Sequence, residues 1–198
     1  MNRGKVNKRI LILCEGVTEY LYARSLQMEL PRSLQRSISV EIYHDTQNDP
    51  KSLLSAAKRK VKTAQKEKNA YDQVWLFFDN DNRPQLAEVF ENLNKEKFQF
   101  AYSSLCFEHW IILHFENCGR AFSNGEEAIK HLRRHWPEYH KTRSKVYKEL
   151  RSTLGVAIER ADSICRNSSP EDVLHKKNPY FTVQQLINYF EVLKEENR

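Results

Sequence analysis

Two carboxylates one residue apart, Asp79 and Asp81, stand directly behind the most apolar run of the chain, Val74-Trp75-Leu76-Phe77-Phe78. A short, uninterrupted apolar run of this kind reads as a strand buried on both faces. Both acids then sit at a strand's carboxyl end and can face one pocket. Clustered anions repel one another unless a cation neutralises them, and all-oxygen ligands suit a hard divalent ion. Mg2+ fits, and Mn2+ can replace it. An isolated Asp-x-Asp is also a common turn, so the position behind the strand is what argues for chemistry. Glu15, between Cys14 and Gly16, closes a second apolar run at residues 10–13. Gly16 permits a close approach of backbone or ligand. Taken singly, Glu15 reads as an exposed turn residue. Taken with Asp79 and Asp81 at a neighbouring strand end, it reads as a third ligand.

The elements that must position these acids follow from periodicity. Residues 10–13, 38–43, 74–78 and 98–102 read as strands. A helix is expected from a Thr18 cap to about residue 30, where Pro31 stops it. A second starts at Asp49-Pro50 and runs to about residue 69, and a third covers 84–95. Strands alternating with helices argue for an α/β fold with a mostly parallel four-stranded sheet flanked by helices. In such sheets ligands bind outside the carboxyl ends of the strands. The remainder is helical. Phe107, Trp110, Ile111 and His114 recur at core spacing, and further helices are expected over 125–136, over 147–166, and over 182–195 with Thr182 as cap. Residues 1–116 are expected to form the α/β core and 117–198 a helical extension packed on it; the alternative is one single domain.

Composition narrows the class. With 198 residues, 40% apolar and 29% charged, the chain suits a globular protein. No stretch approaches the roughly 20 apolar residues that span a bilayer, and the apolar run after the basic N-terminus is too short for a signal peptide. No membrane contact is expected, and the cytoplasm is the expected compartment. Cys14, Cys106, Cys118 and Cys165 show neither a CxxC pair nor a disulfide framework, so reduced thiols are expected.

The net charge of +6 is concentrated at residues 51–68 and 130–151. Such patches attract phosphate backbones, although a solvated helix face accounts for them equally well. Lys141, Arg143, Lys145 and Lys148, interleaved with Tyr139 and Tyr147, suit a nucleic-acid backbone and stacked bases. Lys145 and Lys148 could also neutralise charge developing on a phosphate. His131 and His135 have metal-ligand spacing, but the intervening Arg133-Arg134 disfavours a cation, and a phosphate-facing helix is the expectation. His109 and His114 read as core histidines.

Three stretches together resemble the RloB-like family: Cys14-Glu15-Gly16-x-Thr18-Glu19, Phe78-Asp79-Asn80-Asp81, and Ser103-x-x-Cys106-Phe107-Glu108-x-Trp110-x-x-x-His114-Phe115. Asn178-Pro179-Tyr180 and Thr182-Val183 are similar to the family's C-terminal region. The family is prokaryotic, associated with restriction and abortive-infection loci, and regarded as a divergent Toprim-fold group. The resemblance implies a Toprim-like (Rossmann-like) core, with Glu15 as metal ligand or general acid/base, Asp79 and Asp81 as the metal-binding pair, and Glu108 completing a catalytic cluster. The family usually has Asn-Pro before Cys-Phe-Glu; Ser104-Leu105 stands here and alters the loop that presents Glu108. The expected activity is Mg2+-dependent hydrolysis of nucleic-acid phosphodiesters, RNA or DNA, in anti-phage defence. An ATPase or another defence-system protein is the expected protein partner. The alternative is a non-catalytic Toprim-like partner or sensor subunit binding a metal–nucleotide or a defence effector.

Overall fold

Strand β1 (Lys8–Cys14) divides its side chains between two cores, Ile10, Ile12 and Cys14 facing one and Leu11 and Leu13 the other. Strand β3 (Gln73–Asp79) does the same, with Trp75 and Phe77 opposite Val74, Leu76 and Phe78. Period-two alternation of apolar residues on both faces is what a fully covered sheet requires. The computed structural model describes residues 8–44, 49–80, 85–143 and 145–196. Its sheet has four strands in the order β2-β1-β3-β4, where β2 is Ile38–His44 and β4 is Gln99–Ser103, and every pairing is parallel.

Helices α3 (Pro50–Lys66) and α4 (Leu86–Glu96) cover one face through Leu53, Leu54, Ala57, Leu86, Val89, Phe90 and Leu93. The other face carries α1 (Val17–Met28), α2 (Arg32–Ser37), α5 (Phe107–Ile112), α6 (Gly125–Leu132), α7 (Val146–Leu150), α8 (Leu154–Arg166) and α9 (Val183–Glu195). Because α1 and α3 lie on opposite faces, the winding reverses between β1 and β3. That reversal leaves a crevice at the carboxyl ends of these two strands. No helix among the described residues is long and apolar enough to cross a membrane. The four cysteines are free, three of them buried.

Local chemistry explains where elements differ from expectation. Asp49 does cap α3, accepting from the Ser52 N–H at 2.9 Å, with Pro50 in the first turn. Thr18 does not cap α1: the N-cap is Gly16, and the Thr18 hydroxyl donates to the Lys141 carbonyl at 2.7 Å. Thr182 sits at the N-cap of α9, but its hydroxyl accepts from the Tyr102 N–H at 2.9 Å and donates to the Phe100 carbonyl at 3.0 Å. Pro31 ends α1 and opens α2. The single helix expected over 147–166 is divided by a 3-10 turn at Arg151–Thr153, where the Thr153 hydroxyl bonds back to the Leu150 carbonyl at 3.0 Å. Pro84 lies outside the described residues.

Thr182 belongs to a segment that covers the outer edge of β4. Thr182 N–H donates to Tyr102, Ser104 N–H donates to Tyr180, and Phe181 bridges Ser103. The edge is thereby paired rather than left open to other chains. Thr182→Val keeps the side-chain shape but strands the buried Tyr102 N–H. A loss of about 1–3 kcal/mol in urea unfolding is expected, and an unchanged midpoint would mean that water replaces the hydroxyl.

Candidate functional site

The β1–β3 register pairs Cys14 with Phe77 and so brings the next residues of both strands side by side. Glu15 N–H extends the ladder to the Phe77 carbonyl at 2.9 Å, and Asp79 N–H points back at Glu15 Oε2 at 3.4 Å. Helix α1 starts two residues after Glu15 and returns Glu19 to the same place from its first turn. A Cβ at Gly16 would meet the Glu19 carboxylate, so a larger residue there would displace that carboxylate from its place. From the far side, the turn after β4 opens α5 and sets Glu108 in its first turn. In that turn Leu105 takes φ 74°, a left-handed conformation that costs a residue with a Cβ roughly 1–2 kcal/mol. The position is held by the Ser103 hydroxyl donating to the Cys106 carbonyl at 2.7 Å and by Ser104 accepting from Tyr180 N–H at 2.7 Å. The departure from Asn-Pro at 104–105 therefore falls on the strained turn that presents Glu108.

The result is a cleft of about 330 Å³ lined by Glu15, Glu19, His44, Asp79, Glu108 and Lys141. Glu15, Glu19 and Glu108 are 6%, 5% and 2% exposed, an unusual depth for three acids in one place. Tyr139 donates its hydroxyl to Glu108 Oε1 at 2.9 Å, and Lys141 Nζ stands 4.0 Å from the same oxygen. The Thr18–Lys141 bond pins this segment to the start of α1. Burial pushes the Glu19 carboxyl up to about 8, reinforced by repulsion from Glu108 and Glu15. Burial works against the Lys141 charge, yet Glu108, Asp79 and Glu19 hold it above the ordinary lysine value. Four carboxyl groups from three segments give an oxygen-only donor set, and their mutual repulsion is the condition a hard divalent cation relieves. That donor chemistry is the kind Mg2+ or Mn2+ takes, although among the described residues no three of these carboxylates gather their oxygens within 4.8 Å of one another.

Asp81 lies outside the described residues. Arg143 pairs with Glu149 at 2.8 Å and lies over the Trp136 ring at 4.8 Å. Lys145 and Lys148 are exposed at α7, beside the cleft segment in sequence but not among its lining. The expected stacking surface is not there. Tyr139 is committed to Glu108, and Tyr147 packs edge-on to Tyr22 at 5.2 Å, both rings being buried. His109 and His114 are core residues whose partners are the Cys118 carbonyl and the Thr153 hydroxyl. His131 and His135 do not present a free face to phosphate; both turn to Glu116.

A family model described as RloB-like protein matches residues 10–190. The chain belongs to the RloB-like family. Comparison with curated proteins and with solved structures gives no match. In this RloB-like chain the cleft contains two residues that sequence reasoning passed over. Glu19 is four residues after Glu15, the helical spacing that can return a side chain to the same side, and that signal was available. His44 ends β2 and reaches the cleft, with Nε2 buried and lacking a hydrogen-bond partner among the described residues. Lys141, read from sequence only as one of four backbone-binding cations, is the one that enters the acidic cleft.

Proposed function

We propose that this RloB-like chain is a metal-dependent phosphodiesterase acting on RNA or DNA in prokaryotic anti-phage defence, with the cleft between β1 and β3 as its active site. The observation that carries the reading is the convergence of Glu15, Glu19, Asp79 and Glu108 with Lys141 at the strand ends. Glu15 and Asp79 would hold Mg2+, with Asp81 as the third ligand that the family resemblance implies. The bound cation would polarise the phosphodiester and stabilise the leaving oxygen. Glu19 keeps a proton below about pH 8 and can pass it to a departing oxygen. Glu108, fixed by Tyr139, orients Lys141, whose amine offers charge to a phosphate oxygen. Lys145 and Lys148, exposed at α7, would position the strand's backbone. In this arrangement residues 1–116 carry the acids, and the 117–198 part supplies Tyr139 and Lys141. The family's association with defence loci supports a cytoplasmic setting and an ATPase or other defence protein as partner.

One observation favours a second reading, a non-catalytic subunit that binds a metal–nucleotide. With Tyr139 and Tyr147 buried, the basic segment loses the rings that would stack on a strand, and the cleft is of a size for one nucleotide. Incubating the full chain with labelled RNA and DNA pools and Mg2+ or Mn2+, beside Asp79→Ala, separates the two. Cleavage of one pool, lost in the variant, is the expected result. Intact pools with cation binding retained would transfer the assignment to the second reading.

A further inference from the structure

Glu116, just past α5, meets two histidines from the end of α6. His131 Nε2 is 2.6 Å from Glu116 Oε1, and His135 Nε2 is 3.1 Å from Glu116 Oε2. The three ligating atoms lie within 4.8 Å of one another. A tetrahedral Zn2+ with nitrogen and oxygen bonds of about 2.0–2.1 Å has ligand-to-ligand edges of roughly 3.3 Å, so small side-chain movements bring this trio to coordinating distance. We propose that Glu116, His131 and His135 form a second metal site, separate from the acidic cleft, for a borderline divalent ion of the Zn2+ class. Two imidazoles and one carboxylate are the donor set such ions take, whereas the oxygen-only cleft suits Mg2+.

Packing has already oriented the ligands. The His135 ring stacks on Phe115 at 5.7 Å and 13°, and His131 meets Phe122 edge-on at 5.4 Å. The two histidines are four residues apart at a helix end, so both face the same side. The arginines between them do not occupy the site. Arg133 donates to the Tyr139 carbonyl at 3.3 Å, and among the described residues Glu116 has no Lys or Arg partner. The cation would tie the end of α5, the helix that carries Glu108, to α6. His131 Nδ1 is buried without a described hydrogen-bond partner. No second carboxylate therefore fixes its tautomer, an outer contact worth about 10–100-fold in metal affinity where it is present.

Titration calorimetry of the full chain with ZnCl2, in excess Mg2+ to fill the cleft, tests the site. One equivalent of Zn2+ should bind, with a melting temperature raised by several degrees. His135→Ala lies at the more exposed ligand and should keep the fold by circular dichroism while weakening Zn2+ at least about tenfold. Glu116→Gln should do the same, and Asp79→Ala should leave the Zn2+ isotherm unchanged. Absence of Zn2+ binding to the parent chain, or equal binding by His135→Ala, would overturn the proposal without touching the reading of the acidic cleft.

Discussion

Glu15→Gln is expected to weaken Mn2+ binding by about tenfold or more, since ligand charge sets cation affinity, and to slow metal-dependent cleavage by at least about a hundredfold. The substitution is nearly isosteric. Its amide oxygen can still accept from the Asp79 N–H that Glu15 Oε2 faces at 3.4 Å, so the strand ends need not move. What changes is charge. Glu15 contributes to the repulsion felt by Glu19, and it is only 6% exposed. Removing one negative charge from a buried, like-charged cluster should therefore leave the cation-free protein as stable as before or more so. A structural role would predict the reverse, lower stability with cation affinity intact. Manganese titration and thermal unfolding of the same preparation distinguish the two, and an unaltered Mn2+ isotherm would remove Glu15 from the site.

Much of the frame was legible because burial on both faces leaves a mark in the sequence. Strands β1 and β3 announce themselves as apolar runs and β2 by its polar–apolar alternation, and the crevice follows from the alternation of strands with helices. Glu15 and Asp79 were legible for the same reason, being the first polar residues beyond two such runs. What the sequence hid was decided by partners far away along the chain. The Thr18 and Thr182 hydroxyls look like helix caps until Lys141 and β4 claim them. Helix α2 has only Leu34 buried, too little apolar periodicity to detect. Linear charge cannot say that Arg143 is taken up by Glu149 and Trp136 while Lys141, two residues earlier, enters the acidic cleft. The His131–His135 spacing was visible, but its third member, Glu116, is fifteen residues upstream of His131 and reaches it only through the packing of α5 against α6.

The cation-free protein should lose stability as pH rises from about 6.5 to about 8, and Glu19→Gln should abolish that loss. The Glu19 carboxyl has a folded value of about 8 against 4.5 when unfolded. Between these limits the unfolded chain has released a proton that the folded chain still holds. Unfolding therefore releases protons, and stability declines with pH by at most about 1.4 kcal/mol per pH unit. Below 4.5 both states are protonated and the effect vanishes. Two histidines run the other way. Burial lowers His109 and His114 from 6.5 to about 4, so the folded chain keeps them neutral while the unfolded chain takes up protons. Their contribution is complete above 6.5 and is lost as pH falls toward 4, which masks the Glu19 slope in the acid range. Only the limb between about 6.5 and 8 isolates the carboxyl. Urea unfolding in chelator across that interval should show the decline in the parent chain and a flat line in Glu19→Gln. A variant that keeps the parent's slope would mean that Glu19 is already ionised at neutral pH, and the proton assigned to it for the leaving oxygen would have to come from elsewhere.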